Sequence, residues 1–207
     1  MSVIAVTIVR PRDGKRAVVE DRVRRVGSIY ERLGSEVKLS KIIAGPFAEC
    51  ITIQRRYADF TTATGTFKAL GDDAEFAQLQ EERDTDPAGD FVVVRDIIRT
   101  VHGDTKWGTH PVTHLRIYEM SRDKLADALA MFPEVEEITA PADVNVVGLM
   151  PITGDNMSSL TVAYQLKSVD HWAEVLDTIG TSEAFQALLA RAGRLGAIRS
   201  SGVMVPL

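Results

Sequence analysis

The chain has 207 residues, 45% apolar and 26% charged, which is ordinary globular usage and enough for one large domain or two small ones. Its formal net charge is −5, and the one basic cluster (Arg22, Arg24 and Arg25) falls on a single predicted helix, so the concentrated positive footprint of a nucleic-acid binder is missing. A lone cysteine, Cys50, leaves no intrachain disulfide or cysteine-cluster metal site, and no apolar run nears the ~20 residues needed to cross a bilayer.

In chain order, Val3 to Val9 is a β-branched run closed by Arg10-Pro11-Arg12-Asp13-Gly14, a strand and a turn. A helix is predicted from Lys15 to Leu33, because Val19, Val23, Val26, Ile29, Tyr30 and Leu33 form one stripe at helical spacing and Gly34 is a natural stop. Glu36 to Ala44 and Glu49 to Arg55 read as strands of a hairpin, turned at Gly45-Pro46. Asp59 or Thr61 caps the next helix, with Ala63, Phe67 and Leu70 inward and Gly71 at its end. Asp72 or Asp73 caps a short helix burying Phe76 and Leu79; a turn-rich stretch, Asp84 to Asp90, leads to an apolar strand from Phe91 to Ile98. The order is β-α-β-β-α-β, the ferredoxin-like motif.

Gly103 to Pro111 has the glycine, proline and lack of period of a linker. Beyond it the order restarts: a strand from Thr113 to Glu119, a helix capped by Ser121 with Leu125, Leu129 and Phe132 inward, and hairpin strands Val144 to Met150 and Leu160 to Leu166. Helices from Val169 to Ile179 and Ser182 to Ala192 follow, then a short strand, Gly202 to Val205. Gly71-Asp72-Asp73-Ala74-Glu75-Phe76-Ala77-Gln78-Leu79 lies over Gly180-Thr181-Ser182-Glu183-Ala184-Phe185-Gln186-Ala187-Leu188, so the stretch from Ser168 onward echoes the one from Tyr57 to Val101. The chain therefore divides into a first half, 1–102, a linker, 103–111, and a second half, 112–207.

A β-α-β-β-α-β unit stacks its helices on one sheet face and leaves the other bare, and a half-apolar bare face must pack on something. Two such units in one chain can press those faces together, giving an α+β fold in which tandem ferredoxin-like units pack sheet to sheet. With the stretch GPFAECITIQRRYADF, a following helix pair and DPAGDFVVV, the sequence resembles the dimeric α+β barrel superfamily in tandem form, and within it the NIPSNAP-like and related bacterial proteins. The resemblance carries no catalytic signature to these residues. It implies a fold whose relatives include haem binders and cofactor-independent oxygenases, isomerases and decarboxylases.

Residues two apart on a strand share a face. If the more apolar face of each strand takes the helices, the barrel interior collects Thr7, Thr52, Gln54, His114, Arg116, Tyr118, Thr161 and Gln165. A buried arginine needs a carboxylate, water or anionic ligand, so the leading expectation is a small organic ligand held between the two sheets by these groups. The enzymatic alternative makes His114 a proton-transfer base and Arg116 an anion stabiliser; a third reading is self-association as a homo-oligomer. For the trio His114, Arg116 and Tyr118 the bland alternative is a wet face of an edge strand. His102, His110, His114 and His171 show no metal-ligand spacing and are expected to be solvated, with no cofactor or metal. The acidic run Glu81, Glu82, Asp84, Asp86 and Asp90 reads as a solvated turn, and Trp107 as a cover over an interface. No nucleotide-binding glycine loop or nucleophile elbow is present. The N-terminus has no signal-peptide pattern, so the expected setting is the cytoplasm, without nucleic-acid or membrane partners.

Overall fold

The computed structural model describes residues 1–207. Its elements are β1 (Val3–Pro11), α1 (Arg16–Arg32), β2 (Glu36–Ala44), β3 (Ile51–Tyr57), α2 (Phe60–Gly71), α3 (Ala74–Thr85) and β4 (Gly89–His102), then β5 (Val112–Glu119), α4 (Leu125–Leu129), α5 (Phe132–Thr139), β6 (Asn145–Pro151), β7 (Ser159–Leu166), α6 (Val169–Thr178), α7 (Glu183–Leu195) and β8 (Ala197–Pro206). The strands close into one barrel in the order β1-β3-β2-β8-β5-β7-β6-β4. All neighbours run antiparallel, and the halves join edge to edge through β2–β8 and β4–β6, as in the pairs Ile42–Met204 and Thr100–Leu149. Closure leaves no open sheet edge between the halves, and the helices coat the outside.

Four helix starts follow the capping rule. The side chains of Asp59, Asp73, Ser168 and Ser182 accept from the backbone N–H groups of Thr62, Phe76, His171 and Phe185. Two strands outrun their sequence patterns. β4 continues because Gly89 to Arg99 pairs with β1 and Ile98 to His102 with β6, although Arg95, Asp96 and Arg99 interrupt its apolar run. β8 starts at Ala197 because its first residues pair with β5. The helix expected after Ser121 is broken into a 3-10 turn (Arg122–Lys124), α4 and α5. Pro133 falls in the first turn of α5, where its missing N–H has no intrahelical partner to lose.

The expected division of faces holds for β3 and β7 and fails for β1 and β5. Ile51 and Ile53 pack on Val19 and Val23 of α1, and Leu160 and Val162 on Phe132 and Leu188, as expected. On β1, however, Ile4 clusters with Trp107, Val147, Leu149 and Ala163, and Ile8 with Ile42, Cys50 and Met204. Val6 and Leu115 pack against the same two clusters. The greasier faces of these strands thus turn into the barrel, and Thr7, His114, Arg116 and Tyr118 point out towards the helices. The physical reason is that both faces of β1 and β5 are covered, so alternation no longer separates core from solvent there. Between the sheets these apolar clusters share the interior with the buried side chains of Lys38, Ser40, Thr52 and Gln54.

Trp107 of the linker belongs to the inner cluster and plugs one barrel mouth. There the Gln165 Oε1 accepts from the Lys106 N–H and from Asn145 Nδ2, both at 2.8 Å. Gly103 starts the linker at φ +64°, where an added Cβ would lie 2.5 Å from the Val146 carbonyl oxygen.

Candidate functional site

The site assembles on the outer face of the first-half sheet. α1 presents Val19, Val23, Val26 and Tyr30 to it, and β1 and β3 present Thr7, Val9, Ile53 and Arg55 from below. α3 differs from α1: of its twelve residues only Leu79 is buried. It is held by charges rather than by a continuous apolar stripe. Arg25 donates to both Glu82 carboxylate oxygens at 2.8 and 2.9 Å, Arg32 bonds Asp73 at 2.7 Å and Glu75 at 3.0 Å, and Lys15 bonds Asp86 at 2.8 Å. These clasps leave a cavity of about 320 Å³ between α1, α3 and the sheet. Four carboxylates of the predicted acidic run are thereby set against cations, with Asp90 on Arg12 and Asp84 on Arg83, while Glu81 stays in solvent.

The cavity wall is mainly apolar, closed by Phe76 and Leu79 of α3 and by Phe91 and Val94 of β4. Four arginines reach it (Arg22, Arg55, Arg83 and Arg95), and no aspartate, glutamate or histidine does. Arg22 is partly neutralised by Glu82 and Asp86 at 3.9 and 3.7 Å, and Arg83 by Asp84 at 2.8 Å. Arg55 is only 3% exposed, yet no carboxylate lies within ion-pair distance of it or of Arg95. Its Nη2 donates to Thr7 Oγ1 at 2.8 Å, Thr7 Oγ1 donates to the Val94 carbonyl at 2.7 Å, and its guanidinium carbon sits 4.8 Å from the centre of the Tyr30 ring. Burial, with the positive charge of Arg95 adding to it, pushes the Arg55 guanidinium below its ordinary value.

Of the ligand-site residues expected from the sequence, Thr7 alone lines this cavity. His114 and Arg116 lie at the matching place in the second half, under α6 and α7, around a space of only about 20 Å³. Trp172 Nε1 donates to His114 Nδ1 at 3.4 Å, and the other ring nitrogen sits 2.8 Å from Ser201 Oγ, an arrangement that suits a neutral imidazole protonated on Nε2. Burial, and next the Arg116 charge, push His114 down to about 4. Arg116 stands 5.8 and 5.3 Å from the Tyr164 and Phe185 ring centres, and its buried Nη1 has no hydrogen-bond partner. Tyr118 is buried beside it in the second-half core.

Thr52 and Gln54 do face the barrel interior, opposite Ser40 and Lys38 of β2, and Thr161 lies across from Ile117 and Leu149. The Ser40 and Thr52 hydroxyls and Gln54 Oε1 are buried without partners. Lys38, 7% exposed, meets only Thr113 Oγ1 at 2.8 Å and no carboxylate, and burial lowers it to about 8. The histidines are not simply solvated: His110 is 5% exposed and bonds the Asp143 carbonyl at 3.0 Å, His102 bonds Glu136 at 2.9 Å, and His171 bonds the Ala142 carbonyl at 2.7 Å. No three metal-ligating side chains converge.

Arg55 was missed, although its signal was present. It continues the parity of Ile51 and Ile53, so alternation along β3 already aimed an arginine under the helices.

No protein-family model matches the sequence, and no curated protein is significantly similar to it. Solved structures do match. A monooxygenase candidate from Fusobacterium nucleatum superposes with a TM-score of 0.68 at 9% identity, over 100% of this chain and 92% of the other. An anthrone oxidase-like protein gives 0.63 at 12% identity, over 100% and 91%. A heme-degrading enzyme from Listeria monocytogenes gives 0.54 at 9% identity, over 98% and 99%. At such identities the likeness bears on architecture alone, and on that ground the chain is an α+β barrel of the ferredoxin-like, dimeric-barrel kind, completed within one polypeptide.

Proposed function

We propose that this protein binds a small, mainly apolar organic molecule in the cavity under α1 and α3. The observation that carries this reading is the cavity itself: about 320 Å³, walled by valine, isoleucine, leucine and phenylalanine, with a few polar groups at fixed positions. Ligand sites combine these features, and they bury most of what they hold. Buried side chains line the space between the sheets, where the sequence places the ligand, and this supports the cavity one layer outward. A kinship with NIPSNAP-like proteins rests on the stretches from Gly45 to Phe60 and from Asp86 to Val94 and on the order of elements.

The test is a thermal-shift screen of small aromatic and aliphatic molecules against the wild type and Val26→Phe, which projects a ring into the cavity from α1. Hits should raise the wild-type melting temperature and lose that effect in the variant, because a ligand bound only to the folded state stabilises it. A wild type that no compound shifts, or a variant shifted equally, removes the reading.

A second reading makes the protein a cofactor-independent enzyme, with His114 as base and Arg116 as anion stabiliser. A half-buried imidazole beside a guanidinium with an unpartnered nitrogen favours it. The space of about 20 Å³ around them, room for little more than a water, counts against it. Oxygen uptake with an electron-rich phenol, unchanged in His114→Ala, rejects that assignment.

A further inference from the structure

Resting on the reading of the cavity as a ligand site, we propose that its ligand is an organic carboxylate, with the anionic group seated on Arg55 and Arg95 and the apolar body lying against α1 and α3. Charge balance points there first. Of the four arginines that reach the cavity, Arg22 and Arg83 have carboxylate neighbours, whereas Arg55 and Arg95 have none, and the wall supplies no acid. Two cations without a counter-ion at one largely apolar cavity, one of them buried, favour an anionic guest there.

Geometry points the same way. Arg55 rises from β3 at the cavity floor and is locked by three neighbours: Thr7 Oγ1 at 2.8 Å, the Ala5 carbonyl at 3.4 Å and the Tyr30 ring. Arg95 comes from β4 at the rim, its guanidinium carbon 4.4 Å from the centre of the Phe67 ring. Both are thus held by aromatic faces rather than by acids, which orients the planar donor forks without neutralising them. Such a fork matches the planar, bidentate carboxylate group. With Arg55 deep and Arg95 at the mouth, the structure suits a monoanion on an apolar body better than a multiply charged phosphate, which would need more unpaired cations in the interior.

The experiment compares acids with neutral isosteres on the full chain. 2-Naphthoate is titrated against 2-naphthamide, and dodecanoate against dodecanol, by calorimetry with wild type, Arg55→Met and Arg95→Gln. The expected result is at least tenfold tighter binding of an acid than of its neutral partner by the wild type. That preference falls in Arg55→Met and, to a smaller degree, in Arg95→Gln, while affinity for the neutral compound holds. Binding of naphthoate alone or of dodecanoate alone supports the proposal and shows whether the body is aryl or acyl. Equal binding of acid and neutral partner overturns the carboxylate assignment and leaves the cavity reading standing. No binding of any of the four overturns both. Because Arg95 is exposed on β4, its replacement should fold, so the comparison survives even if Arg55→Met does not.

Discussion

Replacing Lys38 with methionine should make the protein more stable. Lys38 lies inside the closed barrel, 7% exposed, with Thr113 Oγ1 as its sole hydrogen-bond partner and no carboxylate nearby. Burial lowers its ammonium from 10.5 to about 8, so the folded state disfavours the charged form by about 3 kcal/mol. The sign follows from proton counting. Between pH 8 and 10.5 the unfolded chain binds the proton and the folded one does not, so wild-type stability from this group rises with pH across that window. Methionine has similar length and no charge to desolvate. Lys38→Met should therefore gain about 2–3 kcal/mol at pH 7, a rise of roughly 5–10 °C in melting temperature for a chain of this size. The gain should shrink as pH climbs through the window and be close to nil near pH 10.5. Guanidinium unfolding of both proteins at pH 7, 9 and 10 reads this directly, since titrations shared by the two cancel in the difference. A variant no more stable than wild type at pH 7, or a gain that does not change with pH, refutes the reasoning.

His114 acts with the same sign at acid pH. Its folded value, about 4, lies below the ordinary 6.5, so the unfolded chain takes up its proton first as pH falls. Stability held above pH 6.5 is lost between 6.5 and 4, and urea midpoints of His114→Phe should be flatter over that range than the wild type's; parallel curves count against it. Gly148→Ala places a Cβ 2.7 Å from Phe132 Cζ and 3.1 Å from His102 Cβ, against a ring that is 2% exposed and stacked on His102. It should destabilise by about 1–3 kcal/mol, and Phe132→Leu in the same chain should return part of that loss. Denaturant midpoints of the single and double variants decide it, and strict additivity refutes the clash.

The order of strands and helices was legible because α1 carries an apolar stripe and four other helices carry side-chain caps; Asp59, Asp73, Ser168 and Ser182 act where the sequence places a start. The inward faces were not. Ile4, Val6 and Ile8 look like a helix-facing row, but both sides of β1 are buried, and which side is inner depends on partners as distant as Val147 and Met204. The cavity escaped for a related reason. It exists because α3 is held off the sheet by ion pairs to α1, contacts that no local spacing announces. Arg55 was readable in parity with Ile53, but its lack of a counter-ion emerges only once every acid in reach is accounted for.

The segment 103–111 makes both barrel halves parts of one covalent chain, and the edge-to-edge joins β2–β8 and β4–β6 close them by hydrogen bonds. In an assembly of two identical chains any substitution appears twice, so a pocket cannot be opened on one side and sealed on the other. Here the third strands differ four residues before their helix caps: Arg55 stands before Asp59 under an open cavity, and Tyr164 before Ser168 under a packed core. Linking the halves lets one serve as scaffold, dense and closed, while its counterpart is released from that duty and can vary its lining with little loss of the whole.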